Sequence, residues 1–101
     1  MAVDVFRFHF TSDVCLEEAE LTLHLAMYAV EGLFGAARVR LDVSYFVDQP
    51  RRVIIVDATN EVGATLVRVF ANLLLREYGD EAFAVRRVGA SSAPRTEGRA
   101  A

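Results

Sequence analysis

Three observations predict an α+β domain. Some segments alternate apolar and polar residues with the period of a strand, others repeat apolar residues at three- and four-residue steps, and the two kinds follow one another as strand, helix, strand, strand, helix, strand. At 101 residues, 53% hydrophobic and 25% charged, the chain fits one core, and its composition argues against disorder and against a coiled coil.

The first strand is Val3-Asp4-Val5-Phe6-Arg7-Phe8-His9-Phe10, with Phe6, Phe8 and Phe10 on one side and Val5, Arg7 and His9 on the other. Thr11-Ser12-Asp13 then supplies capping side chains, and Glu17, Glu18 and Glu20 crowd a first turn where the helix dipole favours negative charge, so a helix is expected to begin near Val14. Leu16, Ala19, Leu23, Ala26, Met27, Val30 and Phe34 form its apolar stripe, Glu17, Glu20, His24 and Glu31 lie opposite, and Gly32 and Gly35 offer stops.

Residues 38–47 alternate again, which predicts a second strand with Val39, Leu41, Val43, Tyr45 and Val47 inward and Arg38, Arg40, Asp42 and Ser44 outward. Asp48-Gln49-Pro50-Arg51 reads as a hairpin turn, because proline fixes φ and its neighbours tolerate exposure. The β-branched run Val53-Ile54-Ile55-Val56 suits a central strand. Thr59 or Asn60 caps a second helix with Val62, Leu66, Val69, Phe70, Leu73 and Leu74 packed and Gly79 closing it. Phe83 to Val88 is the last strand, and residues 89–101, small and polar, are expected to be a disordered tail on a single domain over residues 1–88.

Right-handed crossovers and a tight central hairpin make this order a ferredoxin-like βαββαβ sandwich: a four-stranded antiparallel sheet with two helices on one face, strands one and three central. With the phenylalanines turned to the helices, the open face is expected to carry Arg7, His9, Arg38, Arg40, Asp42 and one of Arg86 or Arg87, and so to be net cationic. The first helix holds five acids and no arginine from Asp13 to Glu31, so a chain of net charge −3 is electrically two-sided.

That polarity points to a protein-interaction or regulatory module without enzymatic activity, working as a homo-oligomer or accessory subunit through Arg7, His9, Arg38, Arg40, Arg86 and Arg87. The bland reading of the same arginines is that they keep an exposed face wet. The alternative function is nucleic-acid binding on that face, as in the RRM modules of this topology, but Arg52 to Thr59 lacks the aromatics and glycine of their main signature and the chain is acidic.

No cofactor, metal or small-molecule substrate is expected. Cys15, the single cysteine, excludes an internal disulfide; it lies at a helix start, where a dipole favours the thiolate, but no histidine stands near it in sequence, so it reads as inert. Glu20 and His24, one helical turn apart, lack further metal ligands and read as a wet face. Asp57 before Thr59-Asn60 resembles a phosphate-binding strand-to-helix turn but lacks a glycine-rich loop, and Phe10 to Val14 lacks the glycine-rich anion loop of the acylphosphatases that share the topology. All eleven basic side chains are arginines, which removes amine chemistry. The N-terminal residues resemble no secretory signal and the longest apolar run, Leu21 to Val30, is too short to span a bilayer, so a cytoplasmic location is expected.

Overall fold

The computed structural model describes residues 4–89. Its elements are β1 (Asp4–Phe10), α1 (Leu16–Phe34), α2 (Ala36–Asp42), β2 (Tyr45–Asp48), β3 (Val53–Asp57), α3 (Glu61–Tyr78) and β4 (Phe83–Gly89). The fold is α+β: one open antiparallel sheet in the order β2-β3-β1-β4, and three helices. β1 and β3 are therefore the central strands, as the element order leads one to expect for both and the β-branched run for β3. The expected tail, apart from Gly89 itself at the end of β4, lies outside the described residues.

The alternation of β1 sets the whole sheet. Phe8 and Phe10 are buried, and Phe8 stands level with Ile54 on β3 and Val85 on β4. The Phe8 ring packs on Phe70 of α3 at 4.7 Å between centroids, and Leu23, Val30, Val56, Val62 and Leu66 close around them without solvent exposure. Burying this many branched and aromatic side chains, each contributing about 1.5–3 kcal/mol, is what holds the helical layer to the sheet.

The largest departure from expectation is in residues 38–42, expected to be the first half of a strand, which belong instead to a helix over Ala36–Asp42. Val39 and Val43 are four residues apart, so they satisfy a strand's alternation and a helix's turn equally. Ala36, Ala37, Arg38, Arg40 and Leu41 favour helix, and Arg38 reaches Asp42 one turn on, Nε to Oδ2 3.6 Å. Leu41, expected inside, is 82% exposed, while Val39 is buried. The helical layer thus holds three helices instead of two, and β2 shrinks to four residues. Gly35, with φ 88°, is the joint: it ends α1 with its N–H on Glu31 O and turns the chain into α2.

The other punctuation follows the sequence more closely. Asn60 caps α3, its Oδ1 accepting from Gly63 N at 2.7 Å, and Gly79 closes it. The start of α1 differs. Cys15, not the Thr11–Asp13 group, holds the N-cap position, and no side chain accepts a bond there. Instead the Arg52 guanidinium donates to the carbonyls of Thr11 and Val14, tying the β2–β3 turn to the β1–α1 loop. Arg52 itself has φ 57°, the backbone strain of that turn, and its three side-chain bonds offset it.

Candidate functional site: the open sheet face

The pairing registers give the contents of the uncovered face row by row. Phe46, Ile55, Arg7 and Arg86 lie side by side across β2, β3, β1 and β4. On one side of them run Asp48, Val53, His9 and Ala84, and on the other Asp57, Val5 and Val88. Parity with the buried Phe8 and Ile54 puts all of these on the side away from the helices.

Of the six residues expected to bind a partner, the structure brings three to this face: Arg7, His9 and Arg86. Arg38 and Arg40 are corrected. They belong to α2, in the helical layer, because the segment that carries them is not a strand. Arg38 lies over the Phe34 ring at 5.0 Å and pairs with Asp42 and Glu61. Arg40 borders a groove of about 290 Å³ between α1 and α2 together with His24, Tyr28 and Glu31.

Arg87 stands level with Phe6 and so belongs to the helix side. Its guanidinium crosses the Phe6 ring at 5.8 Å and donates to both carboxylate oxygens of Asp4, at 2.8 and 2.9 Å. The hydrogen bond and the charge of Asp4 hold the Arg87 pKa above its ordinary value.

What remains on the open face is less cationic and more apolar than the sequence suggests. Arg7 and Arg86 are directly opposite on neighbouring strands, and neither makes an ion pair among the described residues. Like charges in that position repel. Asp48 is already engaged by Arg51 at 3.8 Å, and Asp57 Oδ1 accepts from Thr59 N at 2.8 Å. Phe46 and Val88, 61% and 40% exposed, supply apolar surface at the two edges.

Between them Arg7, His9, Asp48, Arg51, Val53 and Ile55 line a shallow cavity of about 200 Å³. His9 Nε2 is shielded from solvent and has no hydrogen-bond partner among the described residues. The face is therefore an apolar strip with one shallow cavity, crossed by two guanidinium groups that have no ion-pair partner among the described residues, an arrangement able to receive carboxylates beside apolar surface.

The other chemistry-bearing residues are placed as follows. The Cys15 thiol is exposed and 3.6 Å from Glu17 Oε1, beside an acid rather than a base. His24 Nε2 shares a 2.9 Å hydrogen bond with the Tyr45 hydroxyl, whose pKa is held up by burial and then by the charge of Glu20. Among the described residues no three His, Cys, Asp or Glu side chains gather to hold a metal, and no helix is long and apolar enough to cross a membrane.

A second surface went unread in the sequence. Leu21, Leu25 and Tyr28 on α1 are 62%, 60% and 68% exposed. Their signal is their own four- and three-residue spacing, interleaved with the core stripe and hidden by it. No protein-family model matches the chain, and no curated protein matches it in sequence.

Proposed function

We propose that this domain is a non-enzymatic interaction module, a homo-oligomer or accessory subunit, whose open sheet face receives an acidic, partly apolar segment of a protein partner. The observation that carries the reading is the opposed pair Arg7 and Arg86 within the Phe46, Ile55, Val5 and Val88 surface. An unneutralised like-charge pair costs stability where it stands, and an incoming carboxylate turns that cost into binding. The frame is a ferredoxin-like βαββαβ sandwich with one helix, α2, added between α1 and β2. The strand order and the antiparallel pairing of every neighbouring strand support that assignment.

Titration with a short peptide of alternating Glu and Leu, followed by amide shifts, tests the reading. Binding is expected to perturb β1, β3 and β4 residues of the open face, to weaken as salt rises, and to vanish in Arg7→Glu with Arg86→Glu. Shifts confined to the helical layer, or binding that survives the double substitution, sink it. A single-stranded oligonucleotide runs as the second arm. Phe46 shares its row with both arginines, the juxtaposition needed for base stacking beside phosphate contacts. Tighter binding of the oligonucleotide than of the peptide replaces the protein partner by a nucleic acid.

A further inference from the structure

We propose, resting on the self-association part of the reading above, that α1 pairs antiparallel with α1 of a second copy of this chain through Leu21, Leu25, Tyr28 and Gly32, forming a two-fold symmetric dimer. One side of α1, with Leu16, Ala19, Leu23, Ala26 and Val30, is consumed by the core. A helix at the surface of a finished assembly turns polar residues outward; one with a second apolar stripe belongs inside something larger. The outer stripe advances by four, three and four residues, the repeat of a two-stranded helical seam.

Gly32 gives the seam its register. Glycine inside a helix costs about 0.5–1 kcal/mol relative to alanine, and here nothing in the monomer requires it, for a Cβ at Gly32 would meet no atom within 4 Å. A packing partner from outside supplies the missing reason. Setting Leu25 against the partner's Tyr28 in an antiparallel pair sets Leu21 against the partner's Gly32, a large side chain over the one position without any.

Charge chooses the direction. α1 has no arginine and is acidic at its N-terminal end, at Glu17, Glu18 and Glu20. Arg40 of α2, which makes no ion pair among the described residues, stands beside Tyr28 and Glu31 in the C-terminal half of α1. A parallel pair would face like with like at both ends. The antiparallel pair brings Arg40 toward the acidic end of the other copy, and it also opposes the two helix dipoles.

Sedimentation over a concentration series, on the full chain, decides. The native protein is expected to dimerise. Leu25→Glu, at a position exposed in the monomer, is expected to weaken association about a hundred-fold with unchanged circular dichroism, since a carboxylate would be buried in the seam. Gly32→Gln is expected to weaken it too, and provides the same reading should Leu25→Glu fail to fold. Arg40→Glu is expected to loosen the dimer and Arg40→Glu with Glu17→Arg to restore part of it, a rescue that a merely greasy contact would not show. A strictly monomeric native chain overturns both this dimer and self-association. A dimer indifferent to Leu25→Glu and Gly32→Gln overturns this surface alone, leaving self-association to another face, while the sheet face is judged separately by its peptide.

Discussion

Gly63 is the residue at which the fold is least forgiving. A Cβ there would come within 2.1 Å of Asp57 O, where α3 starts against the end of β3, and a backbone oxygen cannot swing away as a side chain can. Gly63→Ala is expected to cost roughly 2 kcal/mol or more in urea unfolding, despite alanine's better helix propensity. Only close approach explains that sign. Tyr45 and Tyr78 make a second prediction at this scale. Burial first, then Glu20 for Tyr45 and Glu77 and Glu18 for Tyr78, hold both phenols above their ordinary value. Below about pH 10 all forms are neutral and stability is flat with respect to these groups. As pH rises past that point the unfolded chain loses phenolic protons that the folded chain retains, so stability falls until the raised values are passed. Tyr45→Phe is expected to make that alkaline fall shallower in unfolding curves taken across the pH range; an unchanged slope would show that Tyr45 does not contribute to it. The sequence does not show why a glycine stands at position 63, because the contact that forbids a side chain joins two elements.

Among the elements, β1, α3 and the core side of α1 were legible because one period dominates each of them, and β3 because its residues 53–56 are β-branched throughout. In β1 the three phenylalanines leave a single choice of face, and that choice places Arg7 and His9 correctly. β4 was ambiguous for the opposite reason: Ala84, Val85, Arg86, Arg87 and Val88 do not alternate, and only the pairing of Phe83 with Phe10 decides that Arg86 faces outward and Arg87 toward Phe6. Residues 38–42 misled because Val39 and Val43 serve both periods, leaving Leu41 as the discriminating residue. Its substitution tests the element directly. In a strand with Leu41 inward, Leu41→Lys would cost several kcal/mol. In the helix that forms, with Leu41 in solvent, the change is expected to stay within about 0.5 kcal/mol. A large loss of stability in the thermal melt would return the segment to the sheet. The outer stripe of α1 was invisible for a related reason, since a helix with two apolar faces shows a weaker contrast between them than a helix with one.

At the scale of the molecule, the two-sidedness expected from the charges is largely lost: Arg38 and Arg40 leave the sheet, and Asp48 and Asp57 share the open face with Arg7 and Arg86. The acids of α1 stay on the helical layer, but Arg38 and Arg40 join them there, so that layer is mixed and, among the described residues, the open face keeps two guanidinium groups without an ion pair. Their position sets function against stability. Arg7 and Arg86 face one another across β1 and β4, and among the described residues β4 is an edge strand paired with β1 alone. Repulsion there falls on one of the two edge pairings of the sheet. Arg86→Glu turns the repelling pair into an attracting one and is expected to raise the unfolding free energy by a few tenths to about 1 kcal/mol. It should also make added salt less stabilising than it is for the native chain, where screening relieves the repulsion. The same substitution is expected to weaken the acidic peptide. Denaturant curves at low and high salt, beside the peptide titration, measure both effects on one variant. A gain in stability with a loss of binding is the signature of charge kept in place for a partner. If Arg86→Glu leaves stability, its salt response and binding all unchanged, the two arginines are solvated apart and the open face has no electrostatic task.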